Sequence, residues 1–210
     1  MHQLITQNVD DLHQEAGSRA VVQLHGRNRI VVCLDCGGEF PREAMQERLA
    51  ALNAEWLAAA RWESLHADEA DFAPDGDAAV AQDVIGDFHV PECHRCGGVL
   101  KPAVVFFGES VPRDKVAYAM GRVDEADALL VVGSSLTVWS GYRFARRAAE
   151  RGIPLAIVNI GPTRADELSC LKIERSCGDV LRAVVESVLG STPSKARTLR
   201  LQDSPSILPG

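Results

Sequence analysis

The sequence predicts an α/β fold: a parallel sheet with helices on both faces. Three observations carry this. The second half alternates apolar runs with amphipathic stretches in the order strand, helix, strand, helix. Its strand candidates, above all 128–132 and 155–160, are apolar runs broken only by Asn159 near the end of the second, as strands covered on both faces must be. Polar residues gather just past the ends of apolar runs: Gln7-Asn8, Gly133-Ser134-Ser135 and Asn159. Ligands of parallel sheets bind outside the carboxyl ends of the strands, so those ends mark the place for a site.

Taken in order, Leu4 to Thr6 reads as a short strand that ends in a polar loop. Asp10 to Ala16 suits a short helix with Asp10 or Asp11 as cap and Gly17 as stop. Val21 to Leu24 is a second apolar run, ending at His25-Gly26, and Ile30 to Val32 leads into Cys33. Residues 42–62 have Met45, Leu49, Leu52, Trp56 and Ala60 at helical spacing and predict one amphipathic helix. Residues 63–90 are acidic and Ala/Asp-rich, with Pro74-Asp75-Gly76 as a turn signal, and suit a flexible insert. Val104 to Phe107 reads as a strand ending at Gly108-Glu109. Residues 113–126, 142–151 and 179–189 read as helices. The tail from 191 to 210 is Pro/Ser-rich and is expected to be disordered.

Composition bounds the function. The 210 residues include 29 acidic and 22 basic side chains, a net charge of −7, which disfavours a nucleic-acid binder. No apolar run approaches the ~20 residues of a membrane span. The first residues lack the basic and long apolar regions of a signal peptide, so a cytoplasmic protein is expected.

Four of the six cysteines form two C-x2-C pairs, Cys33/Cys36 and Cys93/Cys96, in the matching stretches CLDCGG and CHRCGG. Each such turn aims two thiolates at one ion, and together they complete a tetrahedral shell with no open position. One structural zinc ion is therefore expected. His94, inside the second pair, is read as pointing to solvent, and Cys170 and Cys177 as small buried residues. His25 ends an apolar run and precedes a glycine. An imidazole there can accept a proton near neutral pH. Gln7, Asn8 and Asp10 suit either a ligand site or a capping cluster, and Gly133-Ser134-Ser135 either a nucleotide-binding turn or an ordinary one.

Several stretches together resemble the sirtuin family of NAD-dependent protein deacylases: TQNVDDLHQEAG (6–17), QLHG (23–26), both C-x2-C pairs, KPAVVFFGESVP (101–112), GSSLTVWSGYRF (133–144), IVNIG (157–161) and Cys177-Gly178-Asp179. The LHG and GSSL-x-V-x-S-G-Y-R-F wording is most similar to the class II, sirtuin-4-like branch. The resemblance implies a Rossmann-like NAD-binding domain formed by 1–32 and 99–190. It also implies a zinc-binding module at 33–98 with a helical and acidic insert. The family's first strand and Gly-rich loop do not appear in this sequence.

The resemblance further implies that His25 is the general base. Asn8 and Asp10 would act beside it in catalysis, and Gln7, Asn8, Val9 and Asp10 would line the nicotinamide ribose. Gly133, Ser134, Ser135, Asn159, Ile160, Gly161 and Cys177 would hold the adenosine half of NAD. Val105, Phe106, Phe107, Gly108 and Glu109 would pair with an extended acyl-lysine peptide as an added strand. NAD would be a consumed co-substrate: the acyl oxygen attacks the anomeric carbon, nicotinamide leaves, and O-acyl-ADP-ribose and free lysine are formed. The alternatives are protein ADP-ribosyl transfer and a non-catalytic, zinc-binding peptide receptor.

Overall fold

A computed structural model describes residues 3–58 and 87–190. The chain falls into two compact units that meet in sequence at Ala126 and Asp127.

The first unit opens with β1 (Leu4–Thr6) and β2 (Val21–Gln23), which pair in parallel with Leu4 opposite Val21. The short helix α1 (Leu12–Glu15) lies between them. Asp11 sits at its N-cap position, but of the two aspartates it is Asp10 whose side chain meets the first N–H of the helix. The Asp11 carboxylate makes no cap, whereas Asp10 Oδ1 accepts the Leu12 N–H at 3.1 Å. After a turn at Leu24-His25 comes β3 (Gly26–Cys33), the centre of a three-stranded antiparallel sheet flanked by β4 (Glu39–Pro41) and β5 (Leu100–Val104).

The β3–β5 ladder is interrupted. Arg27 faces Ala103 and Val31 faces Pro102, so residues 28–30 are extra on β3. Pro102 has no N–H to give a ladder. The released Asn28 N–H finds the Val9 carbonyl at 2.9 Å instead.

The single helix expected over 42–62 is broken. α2 (Arg42–Leu52) stops at Asn53, and α3 (Ala54–Ala58) restarts beyond it. Asn53 is buried, and its side chain explains the break. Its amide donates to Leu49 O and His89 O, both at 2.8 Å, while its Oδ1 accepts the His89 N–H at 2.6 Å. An Asn that answers backbone groups competes with helix continuation. Met45 and Trp56 are buried as the periodicity required, whereas Leu52 is exposed. Ala60, the turn at 74–76 and the tail lie outside the described residues, as does nearly all of the acidic insert. The unit closes with α4 (Arg113–Asp124), which buries Ala119 and Val123.

The second unit is a parallel sheet in the order β6 (Leu129–Val132), β7 (Leu155–Val158), β8 (Leu171–Ile173). Helix α5 (Trp139–Glu150) connects the first two strands and buries Phe144, Ala145 and Ala148. Leu136, Ala145, Leu155, Ile157 and Ala165 form the core, with Leu129, Val131, Tyr142 and Leu168 packed on it. Burial of a side chain such as Ile157, completely enclosed here, contributes about 1.5–3 kcal/mol. Central β7 is buried as a continuous apolar strand should be. On β6, Leu130 and Val132 are exposed. Helix α6 (Cys177–Leu189) begins two residues before the expected start and leaves Val184, Val185, Val188 and Leu189 exposed. Among the described residues no helix is long and apolar enough to cross a membrane.

Candidate functional site

The loop that joins β1 to α1 is held against the β2–β3 turn at three points, Thr6, Gln7 and Val9. Leu24 N–H donates to Thr6 O at 2.9 Å. His25 Nδ1 lies 3.0 Å from Gln7 O, and Asn28 N–H reaches Val9 O at 2.9 Å. Within the loop, Asn8 N–H donates to Thr6 Oγ1 at 3.1 Å, and the Asn8 amide to Asp10 Oδ2 at 3.4 Å. Asn8 and Asp10 are exposed, while Gln7, Val9 and His25 are half-buried. The structure thus brings His25 together with the loop that carries Gln7, Asn8, Val9 and Asp10.

A carbonyl can only accept, so the neutral His25 ring carries its proton on Nδ1, with the lone pair on Nε2. Burial holds the His25 pKa below the usual 6.5, opposed by the Gln7 carbonyl and assisted by the nearby Lys115 ammonium. The neutral form is favoured, which is what a proton acceptor requires.

Gly26 explains why glycine follows this histidine. Its φ is +85°, and a Cβ built there would lie 2.0 Å from the Ala103 carbonyl oxygen. β5 therefore packs directly against the histidine turn, and Val105 N–H donates to His25 O at 2.8 Å.

The strand expected over 104–107 ends at Val104 instead. Val105 to Glu109 form an irregular loop closed by Glu109 N–H on Phe106 O at 3.0 Å, with Gly108 at φ +88°. The Glu109 carboxylate takes the Phe106 N–H at 3.0 Å and Lys101 Nζ at 2.6 and 2.8 Å. These bonds, the one to Lys101 foremost, hold the Glu109 pKa below the ordinary carboxylate value. The side-chain and turn bonds supply partners that a ladder would otherwise give, and Phe106 and Phe107 stay exposed.

The four paired cysteines converge, with all Sγ atoms within 4.8 Å of one another. Cys33 and Cys96 sulfurs are 3.5 Å apart, and Cys36 and Cys93 sulfurs 3.8 Å apart. Zinc–sulfur bonds of about 2.3 Å in a tetrahedron require sulfurs roughly 3.8 Å apart, so the set fits one zinc ion. The two knuckles have the same backbone. Gly37 N–H bonds Cys33 O at 3.0 Å and Gly97 N–H bonds Cys93 O at 2.8 Å, with Gly37 and Gly97 at φ +66° and +75°. His94 stands outside the sulfur cluster and packs edge-on against Phe40, 4.6 Å between ring centres.

In the second unit, the carboxyl ends of β6 and β7 gather the other expected residues. Gly133 N–H donates to Val158 O at 2.9 Å, and a Cβ on Gly133 would lie 3.4 Å from Cys177 Sγ. Cys177 Sγ is 3.4 Å from Val158 O, which places Gly133, Cys177 and the strand before Asn159 side by side. Ser134 Oγ accepts the Leu136 N–H at 3.2 Å, and Ser135 Oγ meets Thr137 Oγ1 at 2.9 Å. The Asn159 amide closes its own turn on Ile160 O and Gly161 O, at 3.0 and 3.3 Å, leaving Ile160 exposed. Cys177 is half-buried. Cys170 is exposed, not buried as expected from its small side chain.

The Sir2 family model matches residues 1–140. The chain belongs to the Sir2 family. It is 51% identical over 181 residues to "NAD-dependent protein lipoamidase sirtuin-4, mitochondrial" of Bos taurus, an alignment covering 86% of this chain and 55% of that protein. It is 53% identical over 174 residues to "NAD-dependent protein deacetylase 2" of Bradyrhizobium diazoefficiens, covering 83% and 60%. The first similarity supports the sirtuin-4-like branch. Among solved structures, a Sir2–p53 peptide–NAD+ complex superposes with a TM-score of 0.69 at 29% identity, covering 91% of this chain and 65% of that one. A Sir2 protein bound to a propionylated peptide gives the same TM-score and identity. This sirtuin chain thus spans about 55–60% of the length of these two curated relatives.

Two features of the sirtuin site escaped sequence reading. Lys115 reaches from α4 to Gln23 O at 2.8 Å, 92 positions away in sequence. Asp11, read as a cap, is instead buried against Gln23 and Arg27. No periodicity or motif links position 11 to 27.

Proposed function

We propose that this chain is an NAD-dependent protein lysine deacylase, or the larger part of one. It transfers an acyl group from lysine to ADP-ribose with release of nicotinamide. One observation carries the reading. The His25 imidazole is bound through Nδ1 to the very loop that presents Asn8 and Asp10, and its Nε2 is the proton-accepting nitrogen.

In this reading His25 takes a proton from a ribose hydroxyl, while Asn8 and Asp10, with Gln7 and Val9, hold the nicotinamide ribose. The cluster of Gly133, Ser134, Ser135, Asn159 to Gly161 and Cys177 holds the adenosine half. Val105 to Glu109, attached to His25 through the Val105 N–H, present the acylated peptide. Zinc at the four cysteines is structural: a closed all-sulfur shell supplies folding energy and no reactive position. The discontinuous domain division read from the sequence, 1–32 with 99–190 around 33–98, and a cytoplasmic setting belong to the same proposal. Support comes from the family match, from the relatives' names, and from a neighbour that holds NAD+ and peptide together.

The test is nicotinamide release from NAD and an acetyl- or lipoyl-lysine peptide. His25→Ala should abolish it while zinc content stays at one per chain. Undiminished turnover in that variant would refute the role of His25.

A further inference from the structure

Asp11 has two features that α1 does not require. Its side chain is only 3% exposed, and its backbone is left-handed, φ +61°. Its carboxylate nevertheless caps nothing in α1. It is engaged from the opposite direction. Arg27 donates to it as a fork, Nε to Oδ1 at 3.1 Å and Nη2 to Oδ2 at 3.3 Å. The Gln23 amide donates to Oδ1, and Arg29 Nε lies 3.8 Å from Oδ2. Arg29 also pairs with Glu15 of α1. A charge buried this far from water persists only with such partners. The arginines hold the Asp11 pKa below its ordinary value although burial acts to raise it.

The partners' positions give the pattern meaning. Gln23 is two residues before His25 and Arg27 two residues after it. One carboxylate therefore grips both flanks of the histidine turn. Asp11 itself directly follows Asp10, in the loop whose other end bonds His25 through Gln7. Arg27 is the last residue paired with β5 before the ladder shifts and Arg29 lies inside the shift, and a departure of this kind re-aims side chains.

We propose that Asp11 is a positioning residue: its fork with Arg27 and its bond to Gln23 fix the Gln7–Asp10 loop against the His25 turn. This rests on the deacylase reading for its functional meaning but not for its structural content. Lys115 of α4 is the charged group that acts on His25 directly. Asp11 works through the backbone.

The test pairs Asp11→Asn, a residue that tolerates left-handed backbone, with Arg27→Gln and with the double variant. In the double variant neither charge is left unpaired, so folding is retained even if a single change prevents it. The His25 ring is titrated by NMR in each. Loosening the loop removes the Gln7 carbonyl bond and changes the burial of the ring, so the midpoint should move by about half a unit or more in every variant. The double variant should move no further than the singles. Nicotinamide release should lose about tenfold or more in kcat, with KM for the peptide within about threefold.

An unchanged His25 midpoint together with a lowered melting temperature would make the ion pair merely structural and overturn the proposal. If the wild-type chain releases no nicotinamide at all, the deacylase reading fails, and the titration still decides the role of Asp11.

Discussion

His25 Nδ1 and the Gln7 carbonyl oxygen stand 3.0 Å apart, across 18 residues of sequence. That one bond fixes which ring nitrogen can receive a proton, and it joins the imidazole to the asparagine and aspartate beside Gln7. Its surroundings favour the neutral ring, with burial the largest cause.

A pH dependence follows. The folded His25 pKa lies below the unfolded value near 6.5, so between the two the unfolded chain binds more protons and stability rises with pH. The His25 contribution is complete above about pH 6.5 and is lost as pH falls through the folded value. Urea denaturation at about pH 5 and pH 7.5 should show a larger acid loss for the wild type than for His25→Asn. Equal losses would remove His25 as the cause.

Gly26→Ala should be strongly destabilising. The added methyl would meet Ala103 O at 2.0 Å on a backbone of φ +85°. Separation of β3 from β5 or a strained turn should cost about 2–4 kcal/mol, read from the urea midpoint. A loss below about 0.5 kcal/mol would mean the strands do not approach this closely.

Removal of the metal should unfold the antiparallel sheet locally. Cys93→Ser should lower zinc from one to near zero per chain by mass spectrometry, and a strong chelator should lower the wild-type melting temperature. Full zinc retention in the variant would contradict the four-sulfur site.

Asp166 tests the second unit on its own. Its bond to Lys172, helped by Thr163, lowers its pKa to about 2 and ties the turn after β7 to β8. The stabilisation is present above the ordinary value of 3.8 and disappears as pH falls toward 2. Asp166→Asn should flatten acid denaturation across that window. An unchanged acid limb would show the pair to be inert.

What could be read from the sequence was local. The helix expected over 113–126, the strands expected over 128–132 and 155–160, each one or two residues longer than found, and the sulfur cluster follow from periodicity or from fixed cysteine spacing. Side chains that answer distant backbone groups could not be read this way. Asn53 breaks a periodic helix because it bonds His89, and Glu109 ends a strand early because it takes the Phe106 N–H. Strand β8, with only Leu171, Lys172 and Ile173, is too short to show a period, although it completes the second sheet. Within the site, His25, the polar loop and the glycine turns were legible as residue types. The grip of Asp11 on Arg27 was not, because it joins side chains 16 residues apart that only the folded turn brings together.

β3 begins at Gly26, directly after the imidazole, and ends at Cys33, inside the sulfur cluster. Eight residues of extended chain make a single rod about 26 Å long with an anchor at either extremity. Slack introduced at the ion would travel down that rod and blur the aim of the ring at its far end. Chelation should therefore degrade the proposed chemistry at His25 before it melts the protein, although the four clustered sulfurs have no part in that chemistry themselves.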